Sequence, residues 1–129
     1  MANDDERWQA GLAAFASQFR IPQDEVFEQM RSRFGERLAT EAVLATGAAW
    51  TDDCLSLRDR SLLVLATLAT QTGAEARLPT HVRWALDHGV TPEELEALAA
   101  LLAVYAGYPR ASTAIEVFRE VIADYGARQ

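Results

Sequence analysis

Apolar residues recur along much of this chain every three or four positions, the spacing that places side chains on one face of an α-helix. Between turn residues, no run of four or more positions alternates apolar and polar, so no sheet is expected. The sequence therefore predicts an all-α fold of about seven helices. A first helix, capped by Asn3 or Asp4, ends before Pro22, and the others are expected near residues 23–34, 36–50, 57–72, 80–88, 92–105 and 110–125.

The sharpest boundary lies at Thr91, where Pro92, Glu93 and Glu94 follow. The Thr91 hydroxyl can accept from the Glu94 amide while the Glu94 carboxylate reaches back, and proline suits the first helical position. Ser56 and Asp59 repeat the capping pattern at the start of the fourth helix. The helix that starts at Pro92 is expected to place Leu95, Leu98, Leu101, Leu102 and Tyr105 at helical spacing and to stop before Gly107.

Length and apolar content fit a single domain, since 129 residues with 50% apolar side chains can bury one core. Residues 62–68 and 95–104 look apolar around much of their helices, which favours an oligomer. The alternative is that these are the central helices of a monomeric bundle. The net charge of −7 argues against nucleic acid or an anionic membrane as a partner.

All twelve basic residues are arginine, which excludes Schiff-base chemistry on a lysine. The single cysteine, Cys54, cannot form an internal disulfide, and the neighbouring Asp52 and Asp53 would raise its pKa and weaken it as a nucleophile. No cysteine and histidine cluster has metal-ligand spacing. The chain lacks an apolar run of 18 residues and starts with acidic residues, so a cytoplasmic location is expected.

Two histidines are candidates for chemistry. His81, Trp84 and His88 are spaced to share one face of the fifth helix. His81 lies near the first turn, where the helix dipole favours the neutral imidazole of a base or proton shuttle. The alternative is an ordinary packed or surface histidine. His88 adjoins Gly89 at the helix end, where histidine often only satisfies carbonyls, so His81 is the better candidate.

Arginine would supply the positive charge that a carboxylate ligand needs in an acidic protein. Arg58 and Arg60 lie in the first turn of their helix, where cations are slightly unfavourable. They either bind a ligand or form salt bridges, for example to Asp59, Glu75 or a partner subunit. Arg77 could reach the face of His81 only if the fifth helix began early, which Pro79 disfavours, and Arg83 is expected to point elsewhere.

The aromatic residues allow two interpretations as well. Trp50, Trp84, Tyr105 and Tyr108 are either core and interface side chains or walls of a pocket for a flat ring.

The order of residues between 50 and 122 resembles that of the carboxymuconolactone decarboxylase family, whose fold is AhpD-like. Residues 1–49 match it weakly, so the resemblance implies one domain over 1–129 with a helical N-terminal part and a family core at 50–122. The matching positions are Trp50-Thr51, Leu55, Arg58-Asp59-Arg60-Ser61-Leu62-Leu63, Leu78-Pro79, His81, Ala85-Leu86, Gly89-Val90-Thr91, Glu93-Glu94-Leu95, Tyr105-Ala106-Gly107, Pro109 and Ala111.

The resemblance also separates two branches of the family. The thiol peroxidase partners carry a Cys-x-x-Cys pair four residues before a histidine, and here Ala74 and Arg77 stand at the cysteine positions. Disulfide redox chemistry is therefore disfavoured. The decarboxylase branch needs no metal or organic cofactor, and a cofactor-independent carboxy-lyase acting on 4-carboxymuconolactone in aromatic catabolism is expected.

In that reaction the resemblance implies that Arg58 or Arg60 anchors a substrate carboxylate and that His81 returns a proton to carbon. Trp50, Arg77, Trp84 and Tyr105 are the expected substrate-binding residues. The resemblance also implies a ring of dimers, commonly a hexamer, with sites between subunits. Self-association as a trimer or hexamer is therefore expected. Trp84 departs from the small residue common in decarboxylases, so an enzyme for another small molecule or a noncatalytic oligomeric binding protein are the alternatives.

Overall fold

The protein, seen in a computed structural model that describes residues 3–128, consists of seven α-helices and contains no strand within that range. The all-α prediction is confirmed. A short 3₁₀ helix, Glu75–Arg77, precedes the fifth α-helix. The helices are α1 (Asp4–Phe19), α2 (Gln23–Phe34), α3 (Glu36–Trp50), α4 (Leu57–Thr70), α5 (Leu78–Asp87), α6 (Pro92–Tyr105) and α7 (Tyr108–Arg128).

The first compact unit extends to residue 55 and contains α1, α2 and α3. Its core is built on Val26, Met30 and Ala39, against which apolar side chains of all three helices pack. Two glycines let α1 and α3 approach closely. A Cβ atom on Gly11 would overlap the Val43 carbonyl oxygen, and one on Gly47 would overlap the Arg7 carbonyl oxygen. These contacts fix both glycine positions by sterics.

The second unit starts at residue 56 and contains α4 to α7. Helix α5 packs against both α4 and α7, and α7 also packs along α6. The core thus draws its side chains from all four helices and from the turn between α5 and α6. Its buried members are Leu65, Leu78, Val82, Ala85, Val90, Leu95, Ala99, Ala114 and Phe118.

Polar side chains cap three of the helices as the sequence predicts. The side chains of Asn3, Ser56 and Thr91 accept the N–H groups of Glu6, Asp59 and Glu94. At Thr91 the capping box is complete, because the Glu94 carboxylate also accepts the Thr91 N–H at 3.0 Å. Each cap satisfies backbone donors that the first helical turn leaves without a carbonyl partner.

Three helices have boundaries that differ from the prediction. Helix α5 begins at Leu78 rather than Thr80, because Pro79 occupies the first turn, where its missing N–H is no loss. Helix α4 ends at Thr70 because Gln71 is extended. Helix α7 begins at Tyr108 and continues to residue 128, so Pro109 lies in its first turn.

The predicted helical stripe of α6 separates into two environments. Leu95 is fully buried and Leu98 and Leu102 are half-buried, whereas Leu101 and Tyr105 are 63% and 84% exposed. The helix therefore presents an apolar surface in addition to its core face.

The boundary between the compact units falls after residue 55, whereas the sequence places the family core from residue 50 within one domain. The single-domain assignment stays a prediction, and residues 1, 2 and 129 of its range lie outside the described chain. None of the helices between residues 3 and 128 combines the length and apolar character needed to cross a bilayer.

Candidate functional site

His81 is the fourth residue of α5, and its side chain is half-buried. Burial lowers the pKa of His81 below its ordinary value of 6.5, and the positive charges of Arg77 and Arg83 lower it further. The neutral imidazole expected from the sequence is thus favoured, but desolvation is the largest cause. A neutral histidine beside cationic groups can take up a proton when an anion binds.

The early start of α5 brings Arg77 into this environment. Arg77 is the N-cap residue, and its exposed guanidinium acts electrostatically on His81. Arg83 does so as well, although it lies two positions further along the helix. The expectation that Pro79 would prevent an early start of the fifth helix was therefore wrong, because proline fits inside the first turn.

The face shared by His81, Trp84 and His88 is present in the structure. The centroid of the Trp84 ring lies 6.2 Å from that of His81 and 4.8 Å from that of His88. Trp84 is only 3% exposed, so its indole is a buried element between two imidazoles. Any role of Trp84 in shaping a ligand site is exerted from this buried position.

His88 is held from the neighbouring helix. Its Nδ1 lies 2.7 Å from the hydroxyl oxygen of Ser61, a buried residue of α4. Burial lowers the pKa of His88, while Asp87 and a hydrogen bond with the Leu57 backbone act in the opposite direction. A contact that raises the pKa of a histidine is one in which the carbonyl accepts from the imidazole N–H.

Arg58 forms an ion pair that joins two helix starts. Its guanidinium donates to the Glu94 carboxylate and lies 3.8 Å from Asp59. Glu94 therefore serves both the capping box of α6 and the first turn of α4. The ordinary interpretation of Arg58 as a salt-bridge residue holds in this structure, and a ligand carboxylate at Arg58 would exchange with Glu94.

The other predicted site residues lie in different surroundings. Arg60 is buried on α4 at 9% exposure, so its charge is inside the second unit. Tyr105 lies eleven residues beyond Glu94, which is about 16 Å along the α6 axis at the usual helical rise. Tyr105 therefore lies at the opposite end of α6 from the residue that pairs with Arg58. Trp50 ends α3 in the first unit.

Sequence reasoning missed two partners in this region. Ser61 was not a candidate, and Glu94 was assigned only to the capping box. Both contacts join residues far apart in the chain, and helical spacing carries no information about them. The only hint was that Ser61 is a polar residue at the start of the apolar stretch of α4.

A separate groove of about 440 Å³ lies between α6 and α7 and does not include His81. Its lining residues are Pro92, Glu93, Glu96, Ile115, Arg119, Ile122 and Ala123. Among residues 3–128, no three histidine, cysteine or acidic side chains gather in the manner of a metal site.

Comparison with known proteins adds independent information. Residues 38–120 match the model of the carboxymuconolactone decarboxylase family. The chain is 35% identical over 82 residues to a 4-carboxymuconolactone decarboxylase of Acinetobacter baylyi, with 64% of this chain and 60% of that protein aligned. It is 36% identical over 93 residues to a nitrosuccinic acid decarboxylase of Metarhizium robertsii, with 72% and 63% aligned. The chain thus spans less than two thirds of the length of either relative.

Proposed function

Since the chain belongs to the carboxymuconolactone decarboxylase family, we propose that it is a cofactor-independent decarboxylase of a small carboxylated lactone such as 4-carboxymuconolactone. The observation that carries the proposal is the environment of His81. A half-buried imidazole lies under the influence of two guanidinium groups, inside the segment that matches the family. Such a substrate would place the protein in the degradation of aromatic compounds.

The names of the two relatives suggest a common chemical requirement. In 4-carboxymuconolactone, the carboxylate to be lost is conjugated through the butenolide ring to the lactone carbonyl. In nitrosuccinic acid, a nitro group lies on a carbon that bears a carboxylate. Each molecule thus contains its own acceptor for the electron pair that carbon dioxide leaves behind. We propose that this chain takes a dicarboxylate with such an internal acceptor.

The proposed reaction with the lactone has two steps. The bond between the ring carbon and the leaving carboxylate breaks, carbon dioxide departs, and the electron pair delocalises over the ring and lactone carbonyl as a dienolate. A proton from His81 then forms a new C–H bond on the ring. The protein supplies binding, charge stabilisation and the proton, because the substrate supplies the electron sink.

Arginine would hold the carboxylate that the substrate keeps. A guanidinium binds a carboxylate through two parallel hydrogen bonds. Arg58 is the more accessible candidate, and Glu94 already occupies it with a carboxylate, as a substrate would. Displaced Glu94 would still accept the Thr91 N–H. Arg60 is the alternative anchor, buried on the same helix.

The charge of the substrate would also prepare His81. Two carboxylates near the imidazole oppose the influence of Arg77 and Arg83 and favour the protonated ring. His81 is neutral before binding and would acquire its proton together with the dianion. That proton is the one that the ring carbon requires after carbon dioxide has left.

Self-association belongs to the proposal. Tyr105 lies about 16 Å along α6 from Glu94, the residue that pairs with Arg58, so a ligand at Arg58 would meet a Tyr105 side chain more readily if a second copy supplied it. Leu101, Val104 and Tyr105 are also highly exposed, which is unusual for large apolar side chains outside an interface. We propose a trimer or hexamer in which Tyr105 contributes to a neighbouring site.

The first test is ultraviolet-monitored turnover of 4-carboxymuconolactone by the purified protein, corrected for spontaneous loss of carbon dioxide. We expect His81→Ala to lower the rate by about 10²- to 10⁴-fold, the usual contribution of one positioned acid. Arg128→Gln is the matched control, since Arg128 lies at the far end of α7 and pairs only locally with Asp124. Its rate should equal that of the unaltered protein.

Two other outcomes would change the proposal. Turnover of nitrosuccinic acid alone would keep the dicarboxylate class and replace the lactone. No turnover of either acid by folded protein would overturn the decarboxylase assignment and favour a different small molecule or a noncatalytic binding role.

A further inference from the structure

The hydrogen bond between Ser61 and His88 is a buried polar contact that the proposed reaction does not use. The donor and acceptor are 2.7 Å apart, and Ser61 is 3% exposed. It joins α4 to the C-cap residue of α5, the helix that carries His81. A buried polar pair whose partners both find hydrogen bonds restrains the helices that carry it.

The pair resembles a serine nucleophile with its base, but burial excludes that role. In such catalysts a hydroxyl oxygen must reach a substrate carbonyl, and an adjacent histidine accepts its proton. The hydroxyl of Ser61 faces His88 inside the second unit, where it is almost inaccessible. The hydrogen bond between Ser61 and His88 therefore has a role other than nucleophilic catalysis.

The imidazole of His88 has two hydrogen-bond partners on α4. Ser61 contacts Nδ1, and the Leu57 backbone also accepts from the ring. Two hydrogen bonds to the first turns of α4 restrain the orientation of the ring. A His88 ring with a restrained orientation also restrains the side chain that packs against it.

Trp84 is that neighbour. Its ring centroid lies 4.8 Å from that of His88, at an interplanar angle of 48°. On its other side the His81 centroid lies 6.2 Å away, at 58°. Because Trp84 is buried, it cannot turn without displacing one of the two imidazoles. Restraint on His88 is therefore transmitted through the indole to His81.

We propose that Ser61 and His88 are positioning residues, which fix Trp84 and through it hold His81 in the orientation required for proton delivery. Only the proton delivery by His81 rests on the proposed function. The contacts that link Ser61, His88, Trp84 and His81 are present without any substrate. It also gives Trp84 a role: the indole connects the two histidines.

The test without substrate uses nuclear magnetic resonance, which is simple because His81 and His88 are the only histidines. Histidine ring signals are compared in the unaltered protein, Ser61→Ala, Ser61→Thr and Thr67→Ala, with His88→Gln to assign the peaks. Ser61→Ala should shift the signals of both histidines, although Ser61 contacts only His88.

The substitutions include their own controls. Thr67 is an exposed residue of the same helix, and its hydroxyl bonds only to the Leu63 carbonyl, so Thr67→Ala should leave both rings unchanged. Ser61→Thr keeps the hydroxyl and should restore the His81 signal at least in part. A His81 signal that is the same in Ser61→Ala and in the unaltered protein would overturn the proposal.

The kinetic test separates positioning from binding. Misplacing a reacting group by about 1 Å can reduce a rate about 100-fold, so Ser61→Ala should lower kcat about 10- to 100-fold with little change in KM. Ser61→Thr should recover most of kcat. An unchanged kcat in folded Ser61→Ala would contradict the positioning role. If the unaltered protein turns over no acid, the proposed function fails, and the resonance experiment alone decides whether Ser61 orients His81.

Discussion

The charge state of His81 depends on its neighbours more than on its place in the helix. The sequence predicts a neutral imidazole from the dipole at the start of α5. In the structure the pKa of His81 is indeed lowered, but burial, Arg77 and Arg83 are the causes. The burial of His81 depends on how the helices pack, which the sequence around one residue does not determine. The effect of Arg77 on the pKa of His81 was not expected, because the helix was predicted to start later than it does.

Replacing Arg77 by glutamine should raise the pKa of His81, since one positive charge is removed from its surroundings. The change can be followed by titrating the His81 ring signal. Folded His81 binds a proton less readily than the unfolded chain, so stability is lost as the pH falls below 6.5. Arg77→Gln should reduce that loss, which unfolding curves at several pH values would measure.

Arg128→Gln removes the same charge from the end of α7 and should leave the His81 titration unchanged. Equal titration curves for Arg77→Gln and the unaltered protein would mean that Arg77 does not act on His81.

Contacts within one helix could be predicted from the sequence, whereas contacts between helices could not. The arrangement of His81, Trp84 and His88 on one face follows from spacing within a single helix and was predicted. The Ser61 contact with His88 and the Arg58 pair with Glu94 join different helices. Such contacts depend on how helices pack, and local periodicity does not determine that. The assigned roles of the site residues in substrate binding stay predictions.

Helix boundaries followed the sequence closely where capping chemistry was explicit. Asn3, Ser56 and Thr91 all act as N-caps, because their short polar side chains can accept a first-turn N–H. The errors lie at the end of α4, at both ends of α7 and at the start of α5, where Pro79 was placed outside the helix. Proline also fits a first turn, and a helix can end before the nearest glycine.

Removing the N-cap side chain of α6 tests how much this capping contact stabilises the protein. Thr91→Ala should lower the free energy of unfolding by about 1 kcal/mol, the usual loss for an N-cap threonine. The Glu94 amide would lose the Thr91 hydroxyl, which it now contacts at 3.1 Å. Urea unfolding followed by circular dichroism would measure the difference.

Thr113→Ala is the matched control on α7. Thr113 is exposed, and its hydroxyl only bonds back to the Pro109 carbonyl four residues earlier. Since alanine has the higher helix propensity, this substitution should leave stability equal or slightly increased. A similar loss in both variants would show that the Thr91 cap contributes nothing specific.

The exposed face of α6 is the feature of the whole molecule that most needs a partner. Ala97, Ala100, Leu101, Val104 and Tyr105 recur at helical spacing, and all five are exposed. A helix that buries Leu95 on one side and exposes this stripe on another is apolar around much of its circumference, as the sequence indicated. The oligomer inferred from that pattern stays a prediction.

A paired substitution tests it directly. Leu101→Glu with Val104→Glu should convert the predicted trimer or hexamer to a smaller species, because each buried leucine or valine contributes about 1.5–3 kcal/mol to an interface. Light scattering during size-exclusion chromatography gives the mass, and circular dichroism checks the fold. Thr113→Glu, an added charge at an exposed site on α7, should leave the mass unchanged.

The same experiment links assembly to activity. If Tyr105 completes a neighbouring site, turnover should fall together with the oligomer, even though Leu101 and Val104 themselves have no chemical role. The Thr113→Glu protein should keep its full rate. A protein that is monomeric before any substitution, yet decarboxylates its substrate, would contradict both the assembly and the shared site. The residues that contact substrate would then have to come from one chain, without Tyr105 and Arg58 acting on the same ligand.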